Sequence, residues 1–368
     1  MFSTNHRQGR TTGHRRILGP GAGCLNARLP GGASRAAGAA PGAGPSPQTT
    51  AIPAFFPSPT MPPITLIVFA GFYPAARHAV RYADTLAQAL RGKLVLLHVN
   101  QAALFDPYAL MSEGYHQEAL GREADTAAAL CRLAETLPTR PTVEVATDLL
   151  PATAQDLAAR HAPALFVLSQ PNAAHPSAGS PAAGCAELLR AGHHPVLVVP
   201  GAAPANQPPA RILLAVDREP FALAAAARPL QPLFGLAGTR LFVAHISSGV
   251  DDDAGCAAAL RAVQGSGLVK ENAPAPELRG YEHDDHALGL LAAVHDIGAD
   301  LVVVLARPRS YLGELFHRSV TARLLATCPV PVLVLPTAPV AAPATPPADG
   351  ATTAEWAAGI LGGLSPAY

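Results

Sequence analysis

The chain has 368 residues, 49% of them apolar, enough for two buried cores with tails to spare. Formal net charge is zero, but the first sixty residues hold six arginines and no acid, which leaves 20 Lys and Arg against 26 Asp and Glu in the rest. That mildly acidic body argues against a nucleic-acid partner, which needs a basic stripe, and no apolar run reaches the length of a membrane span.

In chain order, residues 1–60 are rich in Gly, Ala, Pro and Arg without periodicity and are expected to be a disordered extension. Arg15 and Arg16 invite comparison with a twin-arginine export signal, but Gly and Pro interrupt the apolar stretch that should follow. Met61 reads as the effective start, because the first strand follows at once. A first unit over 62–200 then opens with a strand at 64–70. Pro74 opens a helix with Ala75, Ala79, Tyr82, Leu86 and Leu90 on one face and Gly92 at its end. Next come a strand from Lys93, a long helix over 113–137 and a strand at 143–146. A helix at 153–161, a strand at 165–169, a helix through Leu188 and Leu189 and a strand at 196–199 complete the unit. The Pro- and Ala-rich linker 201–209 is expected to be stiff.

A second unit over 210–337 repeats the plan. Its expected elements are a strand at 211–216, a helix over 221–236, a strand at 240–246 and a short helix at 253–264 broken by Gly265 and Gly267. A strand at 277–281 and a helix from His286 to Ile297 follow. LVVVLA, from Leu301 to Ala306, and the strand at 330–335 are continuous β-branched runs, as in parallel strands buried on both faces. A helix carrying Leu315, Val320, Leu324 and Leu325 joins them. A parallel pair bridged by a helix crosses over right-handed, so the loop after Leu305 sits at the carboxyl edge of the sheet, where open α/β sheets bind ligands. Residues 338–368 turn to Ala- and Pro-rich coil, expected to be a disordered tail.

The strand–helix–strand openings at Thr65 and Arg211, and the closing strands PVLVVP and PVLVLP, mark an internal duplication. In these features the chain resembles a tandem universal stress protein over roughly 62–337. The resemblance implies two doubly wound parallel-sheet domains, Rossmann-like and akin to the adenine nucleotide alpha hydrolases. They would be paired antiparallel through their last strands, as an internal pseudo-dimer. It also implies stress signalling without catalysis, through an unidentified protein partner. The cysteines Cys24, Cys131, Cys185, Cys256 and Cys328, scattered and without a CxxC pair, suit a reducing cytoplasm better than disulfides or zinc.

In the nucleotide-binding branch of that family the loop after the fourth strand carries Gly, two residues, Gly, nine residues, Gly and then Ser or Thr, and an Asp closes the first strand. Asp217 and Ser319 match. Ala306, Pro308 and Arg318 stand where the glycines would, and the loop is one residue short, as in a glycine-less variant of the motif. Losing one or two amide contacts to a phosphate costs about 1.5–3 kcal/mol each, or one to four decades of affinity. Arg307, Arg309 and Arg318 would either return part of that as charge-assisted bonds or form a solvated rim, pairing with Glu314. The candidate residual site is therefore Asp217, Ala306, Arg307, Arg309, Arg318 and Ser319, with ATP or another adenine nucleotide a weak ligand and no cofactor required.

In the first unit Gly71 replaces the Asp and the loop after residue 169 carries three prolines and no arginine, so that half reads as structural. The run His283 to His286 reads as a helix cap at Asp284 or Asp285 rather than a metal seat, and 251–253 likewise. His193 and His194 read as loop residues. No nucleophile elbow, Walker loop or HExxH is present. The alternatives to a non-enzymatic signalling module are a weak, slowly hydrolysing ATP binder using the second half, and an interaction scaffold.

Overall fold

The computed structural model describes residues 62–99, 113–146, 150–170, 181–248, 252–270, 273–307 and 320–338. The expected disordered ends and the loop positions Pro308, Arg309, Glu314, Leu315, Arg318 and Ser319 lie outside the described residues.

The first half contains β1 (Thr65–Phe69), α1 (Pro74–Leu90), β2 (Lys93–Val99), α2 (Glu113–Thr136), β3 (Thr142–Ala146), α3 (Leu150–Arg160), β4 (Ala164–Ser169), α4 (Pro181–Gly192) and β5 (Val196–Val199). The second contains β6 (Arg211–Ala215), β7 (Ala222–Leu223), a 3₁₀ segment (Arg228–Gly235), β8 (Arg240–Ser247), α5 (Asp253–Gly265), β9 (Glu277–Glu282), α6 (His286–Ile297), β10 (Leu301–Ala306), α7 (Val320–Thr327) and β11 (Val332–Ala338). Among the described residues these strands run side by side in the order β3-β2-β1-β4-β5-β11-β10-β6-β8-β9, with β7 pairing to β11. Within each half the pairing is parallel, apart from the short antiparallel β7–β11 pair. At the centre β5 and β11 run antiparallel, with Val198 opposite Val332 and Val196 opposite Val334. One sheet therefore spans both halves.

The apolar runs explain the layers. Leu66, Ile67 and Val68, or Val302, Val303 and Val304, are buried on both sides of the sheet because helices cover both faces. Each face carries one core that crosses the seam: Leu197 and Leu333 belong to one, Val198 and Val334 to the other. The linker joins the first of these. Ala203 is buried against it, so it is part of the core rather than an exposed position. The carbonyl of Ala205 accepts from Thr85 Oγ1 of α1 at 2.7 Å.

Three expectations change. The helix anticipated over 221–236 is instead strand β7 followed by a 3₁₀ turn, because Pro232 lies inside the segment and has no N–H for a helical bond to the preceding turn. Leu230 and Leu233 still reach the core. Helix α1 ends on Arg91, which takes the left-handed conformation (φ 51°). Gly92 is needed for another reason: a Cβ there would lie 2.5 Å from the Ile64 carbonyl oxygen. The last strand starts at Val332 and continues to Ala338, two residues later and three further than its apolar run, to meet β7.

The described cysteines are free thiols. Burial pushes Cys328 up to about 11 and raises Cys185 and Cys256 as well, so these three behave as small apolar side chains.

Candidate functional site

Strands β6 and β10 are adjacent and parallel, with Ala215 opposite Val304, so the residues that follow each strand meet at the carboxyl edge. Asp217 follows β6 and Arg307 follows β10. The guanidinium takes the carboxylate from two nitrogens, Nη2 to Oδ1 at 2.5 Å and Nε to Oδ2 at 3.2 Å. It also donates to the carbonyls of Glu219 (2.9 Å) and Pro220 (3.2 Å), and Nε lies 3.6 Å from Glu219 Oε2. The Arg307 side chain is 16% exposed and that of Asp217 54%. Arg307 is thus clamped across the first-strand Asp, neither free in solvent nor held in reserve. Ala306, the third described member of the expected site, is buried, and its carbonyl accepts from Thr337 Oγ1 at 3.2 Å.

Beside this pair lies a cavity of about 570 Å³, of small-molecule size. Ile246, Leu290 and Val304 line its apolar part, while Arg218, His245 and His286 supply polar groups. His245 is 4% exposed in β8. Its Nδ1 lies 3.1 Å from the Val216 carbonyl, and its Nε2 lies 3.0 Å from Asp252 Oδ2. The same Oδ2 accepts from Arg218 Nη2 at 2.6 Å, and Asp252 Oδ1 accepts from the Gly255 N–H at 2.9 Å, capping α5. The hydrogen bond from His245 is the main reason the Asp252 carboxyl sits below its usual range, with the Gly255 N–H and Arg218 adding to it. This group was missed in the sequence beyond its capping role. The available signal was a histidine inside the apolar run RLFVAHI.

The His283 to His286 run is occupied by capping. Asp285 Oδ1 accepts from the N–H groups of Ala287 (2.9 Å) and Leu288 (3.1 Å), Arg323 binds its other oxygen, and the Asp285 N–H donates to His283 Nδ1 at 2.9 Å. No cluster of three metal-ligating side chains occurs among the described residues. Arg323 first, then the backbone N–H groups, hold the Asp285 carboxyl low.

Asp252 and Asp285 therefore link stability to pH with one sign. Each carboxyl is lower in the folded chain than in the unfolded one, so its contribution is complete above the ordinary carboxylate range and is lost as pH falls through the lowered folded value. Asp252→Asn is expected to lower Tm by a few degrees at neutral pH and to flatten the fall in Tm below about pH 5. Thermal scans across pH measure this; an acid limb as steep as in the wild type would show that the pair carries no linkage.

The corresponding edge of the first half is closed differently. Tyr73 OH, beyond the end of β1, and Ser169 Oγ, at the last position of β4, are 2.6 Å apart. A Cβ at Gly71 would come within 2.9 Å of the Tyr73 ring. In each half a side-chain pair bridges the first and fourth strands, Tyr with Ser in one and Asp with Arg in the other.

Residues 209–336 match the Universal stress protein family. Among solved structures, a universal stress protein from Archaeoglobus fulgidus DSM 4304 aligns over 74% of this chain and 96% of its own, at 16% identity and a TM-score of 0.53. The likeness of fold thus extends beyond the matched stretch. A functionally unknown protein from Pseudomonas aeruginosa PAO1 aligns at 17% identity, covering 74% and 92% of the two chains with a TM-score of 0.45. A putative universal stress protein from Pseudomonas aeruginosa UCBPP-PA14 aligns at 19%, covering 74% and 93%, also at 0.45. At these identities the likeness concerns fold alone. No curated protein matches the sequence. The universal-stress region contains Asp217, Arg307 and the cavity beside them, so the candidate site lies wholly in the half the family accounts for.

Proposed function

We propose that the chain is a tandem universal-stress-type protein of the cytoplasm, a signalling module without catalytic activity whose second half keeps a degenerate adenine-nucleotide site. The antiparallel β5–β11 seam supports reading the two halves as an internal pseudo-dimer, with the first half structural. One observation carries the functional reading: Arg307 holds the Asp217 carboxylate that a nucleoside would need. The absence of glycines at Ala306, Pro308 and Arg318 points the same way, and Arg307, engaged with Asp217, Glu219 and Pro220, is not available to replace them. Arg309, Arg318 and Ser319 complete the proposed residual site. The scaffold alternative, in which protein partners are the main ligands, is compatible with the same plugged site.

Titrating the purified chain with ATP by calorimetry tests the reading. The expected dissociation constant is no tighter than about 100 µM, Asp217→Ala weakens it further, and Gly71→Asp adds no second site. Micromolar affinity would reject a degenerate site. The cavity beside Asp217 favours the second reading, a weak ATP binder that hydrolyses slowly, and steady release of phosphate lost in Asp217→Ala would establish it.

A further inference from the structure

A second cavity, of about 860 Å³, opens between the halves on the side of α1. Arg77, His78 and Arg81, from the first two turns of that helix, line one wall, and Gln170, Gly201 and Cys328 belong to the others. No acidic side chain lines it among the described residues. The helix that faces it begins with Pro74, has no acid in its first turn and has no side-chain cap from its N-cap residue Tyr73. Across the cavity, the last carbonyls of α7 do not face the basic wall unpaired: Gln170 Nε2 donates to Leu325 O at 3.2 Å and to Ala326 O at 2.5 Å.

The basic groups themselves are unspent. Arg77 donates from Nε and Nη2 to one neutral acceptor, the Phe72 carbonyl, which fixes its guanidinium over the helix start and leaves its charge uncompensated. Among the described residues Arg81 has no hydrogen-bond or ion-pair partner, and His78 Nε2 is enclosed without one. At the edge of the other half, by contrast, Arg218, Arg307 and Arg323 each hold a carboxylate. Two guanidinium groups of uncompensated charge and a helix start share one concavity. That is the equipment for an oxyanion with several acceptors in different directions.

We infer that this cavity between the halves binds a small phosphomonoester. Its phosphate sits against Arg77, Arg81 and the amino end of α1, and its organic part lies toward Gly201 and Cys328. A bare phosphate would leave most of the volume empty, which is why a phosphate ester of a compact metabolite fits better than the free ion. Because the walls come from both halves, the ligand would also brace the seam. The inference is independent of the proposed nucleotide site, which lies at the carboxyl edge of the second half.

The test uses the full chain, with inorganic phosphate and glycerol 3-phosphate as probes at constant ionic strength, followed by calorimetry and thermal scans. Both anions are expected to bind saturably and raise Tm, the ester more tightly than the free ion. Arg77→Gln combined with Arg81→Gln is expected to weaken both by about tenfold or more, while Asp217→Ala changes neither. Both arginines are exposed, and Arg81→Gln alone, with circular dichroism to check folding, gives the same direction if the double variant is unstable. Three results overturn the inference: no saturable binding up to about 10 mM, unchanged binding in the folded arginine variants, or loss of binding in Asp217→Ala. Equal affinity for the two probes would overturn the ester assignment.

Discussion

Val198→Asp is expected to abolish the native fold or drive the chain into aggregates. Val198 is 1% exposed at the middle of the sheet, paired to Val332 across the antiparallel seam and to Leu168 on its other side. Its face of the sheet is shared with Phe166, Leu324 and Leu325, so a carboxylate there has neither water nor a cation to meet. An unpaired buried charge costs several kcal/mol, against total stabilities of about 5–15 kcal/mol for a domain. The seam adds a second hazard. If β5 and β11 part, each half exposes an apolar strand edge, and such edges pair with other chains. Val198→Ala, which only removes apolar burial, is expected to cost about 2 kcal/mol and leave the chain monodisperse. Gln207→Asp, at an exposed linker position, should do little, whereas Ala203 is buried and would not serve as a silent control. Urea midpoints and size-exclusion profiles decide the matter. A Val198→Asp chain that stays monomeric with a midpoint near the wild type would mean that this seam does not hold the halves together.

Elements whose identity rests on short-range pattern were legible in the sequence. LVVVLA reads as a strand buried on both faces, and the helix from His286 to Ile297 was expected with a cap at Asp284 or Asp285, of which Asp285 is the one used. The segment at 221–236 misled because its apolar spacing is helical while Pro232 removes an amide a helix needs; the spacing survives as buried Leu230 and Leu233 on a tighter turn. The candidate site was half legible. Asp217 and Arg307 were visible as residues, but their contact spans ninety positions and depends on β6 lying directly beside β10. Pairing Arg307 with Glu314, a nearer neighbour in the chain, was the natural local guess. His245 and Asp252 illustrate the same limit: the carboxylate shows in sequence as a cap, and its partnership with a buried imidazole emerges only when β8 and the start of α5 are folded together.

The Asp217–Arg307 pair makes a prediction opposite in sign to the usual loss on mutation. Arg307→Ala is expected to tighten binding of adenosine, which has no phosphate for the arginine to hold. For adenosine to engage Asp217, the carboxylate must give up or share the guanidinium, and the clamp is reinforced by the carbonyls of Glu219 and Pro220. Asp217 is about half exposed, so solvent screens the pair and its cost to a ligand is nearer 1 than 3 kcal/mol, a gain of about fivefold to tenfold when the arginine is removed. The same change should also lift part of the penalty for ATP. Combining Arg307→Ala with Asp217→Ala should erase the gain, because the benefit acts through the freed carboxylate alone. Calorimetric titrations of the wild type and the three variants with adenosine and with ATP distinguish the alternatives. Were Arg307 a phosphate ligand that swings toward the nucleotide, its removal would leave adenosine unchanged and weaken ATP by tenfold or more, as loss of a charge-assisted contact does, and the clamp across Asp217 would then be no plug at all.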